Sequence, residues 1–211
     1  MAKIAVISSN GQAGQHIVAE LVARGHEVTG FARGLDNQSL AQTYIQKDLF
    51  DLTKEDLRDF EAVVDAFGTF SSETLHLHVK VVEHLANLLT GTQTRLLVVG
   101  GAGSLYVDAS HQQQLFETPD FPEEFYPLAK AQAQALDSLR QTKNLVWTFI
   151  SPAAEFEVDL PKTGHYILAG EEFTLNDKGV SEISYADYAI GLVDILESGQ
   201  HVGKRVSLLG Q

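Results

Sequence analysis

The sequence predicts an α/β fold, a doubly wound parallel sheet flanked by helices. Three observations point there. Short β-branched runs alternate with longer amphipathic stretches; two of those runs, at 4–7 and 96–99, are apolar throughout, as strands covered on both faces must be; and the first run passes through a glycine turn into a helix. With 211 residues, 44% of them hydrophobic and 20% charged, the chain can bury a substantial core as one domain spanning 1–211.

The elements follow in order. KIAVIS is the first strand, and the helix after it, over 14–24, carries Ile17, Val18, Leu21 and Val22 on one face. EVTGFA, TYIQKD and AVVDAF read as the next strands. Residues 73–89 read as a helix with Leu75, Val79, Val82, Leu85 and Leu89 toward the core. Its second apolar flank, Leu77, Val81 and Leu88, would suit a subunit contact, so monomer and homodimer both stand. RLLVVGG, a helix over 128–141 and LVWTFIS continue the alternation. The last 60 residues hold a candidate hairpin (HYILAGEEFTLND), a helix at 185–197 and a closing strand (KRVSLLG), enough for a small cap within about 152–185. Ser184 and Asp187 have the spacing of an N-cap with a first-turn carboxylate.

Charge and composition narrow the function classes. Twenty-eight acidic residues against 15 basic ones give a net charge of −13, which opposes binding to nucleic acid or to an anionic membrane surface. There is no cysteine, hence no disulfide or thiolate chemistry. The start MAKIAVI is too short an apolar run for a signal peptide, and no window approaches the ~18 apolar residues of a membrane span. The expectation is a cytoplasmic protein. His76, Lys80 and His84 share a helix face, but a lysine between two histidines opposes a cation, so no metal site is read there.

The turn Ser8-Ser9-Asn10-Gly11-Gln12-Ala13-Gly14 has the placement of a dinucleotide-binding loop. Such a loop needs a tight turn, a close approach of backbone to pyrophosphate and close packing of helix on strand, with the helix N-terminus supplying N–H groups and positive dipole. Gly11 suits the approach and Gly14 the packing. Ser8 stands where a first glycine is expected, and it fits if its backbone stays extended. The same turn without a ligand would serve any doubly wound protein. An arginine, Arg33, ends the second strand, where an arginine accommodates the extra phosphate of NADP, so the expected cofactor is NADPH, with NADH possible.

Taken together, NGQAGQHIVAELVARGHEVTGFAR, KDLFD, RLLVVGGAGSLY, AKAQAQALDSLR and the segment from SPAAEFE to GVSEISYADYAIGLVDILE resemble the atypical short-chain dehydrogenase/reductases grouped with biliverdin reductase B and the NADH-flavin reductase-like proteins. The resemblance covers nearly the whole chain, and implies a Rossmann fold with the cofactor across the carboxyl ends of the strands. It implies that Ser8, Asn10, Gly11, Gln12, Ala13 and Gly14 hold the pyrophosphate, Arg33 the adenosine phosphate, Asp48 and Leu49 the adenine, and Ala66, Phe67 and Gly68 the ribose side. Ser8 departs from the family's glycine.

Catalytic candidates are Tyr126 and Lys130, a Tyr-x-x-x-Lys match in which a lysine one helical turn on favours the phenolate, and Ser104, in the glycine-rich loop after the fifth strand. Pro127 pushes Tyr126 toward extended backbone, which would place it just before the helix and aim it away from Lys130. Direct hydride transfer to a stacked flavin needs no such pair. The long loop 106–126 has the aromatic and proline content of a lid, and as a long irregular segment it reads either as such a lid or as a surface excursion. The expected function is therefore reduction of a flavin, quinone or other planar acceptor; the alternative is a non-catalytic NADP(H)-binding redox sensor acting through a protein partner.

Overall fold

The computed structural model describes all 211 residues. The chain runs β1 (Lys3–Ile7), α1 (Gln12–Ala23), β2 (Glu27–Ala32), β3 (Thr43–Gln46), a short α2 (Lys54–Leu57), β4 (Ala62–Asp65), α3 (Leu77–Leu89), β5 (Arg95–Val99), α4 (Tyr126–Gln141), β6 (Trp147–Ser151), β7 (Glu155–Glu157), β8 (Ile167–Ala169), β9 (Glu182–Ser184), α5 (Tyr185–Ser198) and β10 (Lys204–Leu209). Eight strands form one sheet in the order β3-β2-β1-β4-β5-β6-β10-β8, parallel except for the antiparallel β10–β8 pair at the edge. This is the doubly wound arrangement that the alternating pattern predicts.

The four apolar residues Ile4–Ile7 serve two cores at once because side chains alternate along a strand. Ile4 and Val6 pack under α1 and α5 with Ile17, Leu21, Leu192 and Val193. Ala5 and Ile7 pack under α3 and α4 with Val81, Leu85, Leu136 and Leu139. Burial on both faces is why the run has no polar residue. Winding reverses at β1, since β2 and β3 lie to one side of it and β4 to the other, and the crevice over the carboxyl ends of β1 and β4 is where such a sheet receives a ligand.

Several local expectations need correction. The third helix begins at Leu77 rather than 73, because residues 71–78 close as successive turns, with Thr74 and Leu75 N–H both bonded to Ser71 O. The hairpin at 165–177 does not form. Its first limb pairs with β10 as β8, and the second leaves to bond the lid loop: Tyr106 N–H donates to Glu171 O at 2.9 Å, and Phe173 N–H to Tyr106 O at 2.7 Å. The cap contributes a two-stranded parallel pair, β7 with β9. Tyr126 is the first residue of α4, with φ −56° and ψ −47°, rather than the residue before it. A 3-10 turn over Glu123–Phe125 leads the chain in, and Pro127 sits within the first helical turn, where its missing N–H has no partner to lose.

The predicted cap on α5 is present: the Ser184 hydroxyl accepts from Asp187 N–H at 3.0 Å. The Asp187 carboxylate in turn gathers the cap segment, accepting from the N–H groups of Thr163 and Gly164 and from the Thr163 hydroxyl at 2.8–3.1 Å. No helix is long and apolar enough to cross a membrane.

Candidate functional site

The glycine turn leaves β1 at the switch point. Gly11 caps α1 with extended backbone and no side-chain hydrogen bond, and its N–H closes the turn onto Ser8 O at 2.9 Å. The first intrahelical bond is Gln15 N–H to Gly11 O, so the N–H groups of Gln12, Ala13 and Gly14 have no acceptor in the chain. Three free donors at the positive end of a twelve-residue helix make an anion site. Gly14 is required for its shape: a Cβ there would lie 2.4 Å from Ser8 O and 2.9 Å from Ser9 Cα, both backbone.

Ser8 corrects the expectation of extended backbone. Its φ is +59°, in the left-handed region. The turn must swing the Ser8 carbonyl toward Gly11 N–H while letting α1 approach at Gly14, and that geometry asks for the conformational freedom that glycine has and serine lacks.

Asn10 turns its side-chain amide onto the loop after β2. Its Nδ2 donates to Asp36 O at 2.9 Å and to the Tyr44 hydroxyl at 3.1 Å, and its Oδ1 accepts from Gln38 N–H at 2.9 Å. Arg33, immediately before that loop, is exposed, and no carboxylate of the chain engages its guanidinium. Asp48 accepts from Phe50 N–H at 2.9 Å and starts the 3-10 turn that carries Leu49, half-buried against the core. At the end of β4, Ala66 is buried, Phe67 is half-buried with its ring 5.5 Å from the His78 ring, and Gly68 lies open to solvent. The fold thus collects the turn, Arg33, the 48–49 segment and 66–68 on one edge of the sheet.

Beneath Phe67 lies a charged residue that the apolar strand pattern concealed. The Asp65 carboxyl is buried and accepts a single hydrogen bond, from Phe67 N–H at 3.0 Å. Burial pushes its pKa up to about 7, against the smaller opposing effect of that bond. Burial likewise pushes the His78 pKa down, against a smaller opposing effect of its hydrogen bond with Thr69 O at 3.0 Å. An aspartate closing a buried strand was the one signal available in the sequence.

The catalytic candidates are not assembled into a trio. Tyr126 and Lys130 are both exposed, one turn apart on α4, and no hydrogen bond joins them. Tyr126 packs edge-on against Phe116 at 5.4 Å and helps line an open cavity of about 680 Å³ with Phe121, Glu117 and Glu123. The cavity is formed by the predicted lid loop, which is bound to the glycine-rich segment after β5 by Phe116 N–H to Gly103 O at 2.9 Å. Ser104 is elsewhere. It is buried, and its hydroxyl accepts from Arg205 Nη1 at 3.2 Å.

Arg205 lies on β10, the closing strand. Its side chain is fully buried and spans two elements, bonding Ser104 O at 3.1 Å and the Glu171 carboxylate at 2.5 and 2.7 Å, with its guanidinium 5.7 Å from the centre of the Tyr106 ring. Burial pulls its pKa down from the usual arginine value, and the Glu171 charge opposes that shift. Arg140 adds a second guanidinium to Glu171 at 2.9 Å. The network ties the base of the loop that follows β5 to β10 and to the residues just after β8. A charged residue inside a strand otherwise reading as buried was the overlooked sign.

A glycine turn feeding an uncapped helix at the switch point of a doubly wound sheet defines a dinucleotide-binding, Rossmann-type protein. The comparisons give the family: a profile of NAD(P)H-binding proteins matches residues 9–198, and the chain belongs to that family. The chain is 43% identical over 211 residues to the uncharacterized protein YwnB of Bacillus subtilis strain 168, covering 99% of both chains. It is 61% identical, with a TM-score of 0.98 over the full length of both chains, to a Streptococcus pneumoniae TIGR4 protein described as a "putative NADH-flavin reductase". A Lactobacillus casei protein matches with a TM-score of 0.88 at 28% identity over 99% of both chains.

Proposed function

We propose that this protein is an NADPH-using reductase that delivers hydride to a small planar acceptor, a flavin or a quinone. The observation that carries the reading is the pairing of the free N–H groups at the start of α1 with the unengaged Arg33 guanidinium at the end of β2, donors suited to a pyrophosphate and to a ribose phosphate respectively. The residues present fit the cofactor, since Gly14 admits the close helix and no side chain caps it. Asp48 and Leu49 would border the adenine, and Ala66, Phe67 and Gly68 the ribose.

The bound cofactor supplies the hydride. The chain's own part is to position and to exclude water: the lid loop, anchored through Arg205, holds Phe116, Phe121 and Tyr126 around the cavity in which a flat ring can lie. With Ser104 turned inward and Tyr126 unpaired with Lys130, acid–base relay is weak here, which suits an acceptor that takes hydride directly and its proton from water. The name given to the Streptococcus pneumoniae relative supports flavin as the acceptor class.

The test is steady-state oxidation of NADPH and of NADH with riboflavin, FMN and a benzoquinone. Turnover with a flat acceptor and preference for NADPH are expected, and Tyr126→Phe should cost flavin reduction less than about twofold, whereas loss of a group relaying a proton would cost about a hundredfold. No turnover above buffer overturns the reductase reading; tight cofactor binding without turnover would instead establish the non-catalytic sensor.

A further inference from the structure

The hydrogen bonds of Asn10 carry an inference that rests on the proposed placing of NADPH and goes beyond it. We infer that Asn10 is a positioning residue for cofactor choice: through Tyr44, Asp36 and Gln38 it clamps the β2–β3 loop to the glycine turn and so fixes Arg33 at the distance that discriminates a phosphorylated ribose from an unphosphorylated one.

The connections are specific. Asn10 uses both ends of its amide on the loop, donating to Asp36 O and accepting from Gln38 N–H, two residues apart. Tyr44, on β3, receives the second donation, and its own hydroxyl donates at 2.6 Å to the carbonyl O of Gly34, the residue directly after Arg33. Gln46, also on β3, donates to Arg33 O at 3.0 Å. The two carbonyls at 33 and 34 are thus each held by β3, while Asn10 locks the next residues to the turn. Asn10 is itself fixed from the helix side, where Gln15 Nε2 donates to its carbonyl at 2.8 Å. A turn that binds one part of a dinucleotide and an arginine that binds another are joined by one amide side chain.

A loop outside regular structure would otherwise let the exposed arginine wander, and the selectivity it supplies would be averaged away. The chemistry at stake is a ribose phosphate dianion, which rewards a fixed guanidinium, against a neutral hydroxyl, which does not.

The experiment measures dissociation constants for NADPH and NADH, by quenching of protein fluorescence, for the wild type, Asn10→Ala, Tyr44→Phe, Arg33→Ala and the double variant Asn10→Ala/Arg33→Ala, with thermal midpoints as a check on folding. Asn10→Ala should weaken NADPH about tenfold, the size of about one net hydrogen bond, and NADH less than about twofold. Tyr44→Phe, which removes one Asn10 contact and the bond to Gly34 O, should move the NADPH/NADH ratio the same way by a smaller factor. In the double variant the effect of Asn10→Ala on NADPH should vanish, because the arginine it positions is gone. Equal weakening of both cofactors, or additive losses in the double variant, overturns the inference. A strong effect of Arg33→Ala with a silent Asn10→Ala overturns the clamp and leaves the arginine's role intact; a silent Arg33→Ala refutes the NADPH reading itself and removes the basis of the clamp.

Discussion

Asp65 offers the sharpest physical test of this structure. Its pKa rises from 3.8 to about 7, so holding the ionised carboxylate inside costs about 4 kcal/mol at 1.36 kcal/mol per pKa unit. The sign follows from proton binding. Between the unfolded and folded pKa values the native state holds a proton that the unfolded chain has lost, so stability is greatest below about pH 4, falls as pH rises, and levels off above about pH 7. In the steep part the slope is about −1.4 kcal/mol per pH unit, and the fall between pH 5 and 8 amounts to about 2.5 kcal/mol. Asp65→Asn keeps an oxygen for Phe67 N–H and cannot ionise. Urea denaturation of both proteins from pH 5 to 9 should show the wild type losing that stability relative to the variant, with the difference growing to pH 7 and then holding. Parallel profiles would refute the claim that Asp65 is buried without a compensating charge.

Ser8→Gly should raise the thermal midpoint by about 1–3 °C, because relief of a left-handed non-glycine backbone, about 1–2 kcal/mol, exceeds the added freedom of glycine in the unfolded chain, about 0.4–1 kcal/mol; a lower midpoint in calorimetry would show that the hydroxyl stabilises the turn by more than its strain. Gly14→Ala should destabilise by about 1–3 kcal/mol and abolish detectable NADPH binding, measured by denaturation and fluorescence titration, since its Cβ meets only backbone that cannot yield. Asp187 is held below the usual carboxylate range because hydrogen bonds from Thr163, Gly164 and Ser184 outweigh the upward push of burial. Its contribution is therefore present above about pH 4 and lost as pH falls below it, and Asp187→Asn should open 158–166 to limited proteolysis at neutral pH.

What the sequence disclosed and what it concealed divide along the range of the interactions. Periodicity is a local property, so β1 to β6, β10, the four long helices and the cap at Ser184 were readable within a few residues of their true bounds, whereas the one-turn α2 and the three-residue β7 and β9 are too short to show a period, and Gly14 could be assigned its packing task because helix-on-strand contact leaves room for no other residue. The hairpin at 165–177 failed for the opposite reason. Both of its limbs have strand composition, but the choice of partner belongs to β10 for one limb and to Tyr106 for the other, residues about 40 and 65 positions away. Arg205 and Asp65 were hidden by the strands that carry them, since a run is read as buried by its apolar majority and a lone charge within it has no visible partner until Glu171 or Phe67 N–H is placed beside it.

Ser8 shows why a motif letter and a backbone angle are different kinds of information. Glycine at that position permits a positive φ, so its replacement by serine reads as a sign that the turn does not need one. The turn does need it, because Gly11 N–H must find Ser8 O while α1 closes to the distance that Gly14 alone allows, and both constraints act on the peptide between residues 8 and 9. Serine meets the demand at a cost of about 1–2 kcal/mol, which a core covering both faces of β1 can sustain. The departure from glycine therefore marks a strained turn that retains its geometry, and the proposed cofactor binding at α1 would depend on the N–H groups that geometry leaves free rather than on the residue that completes it.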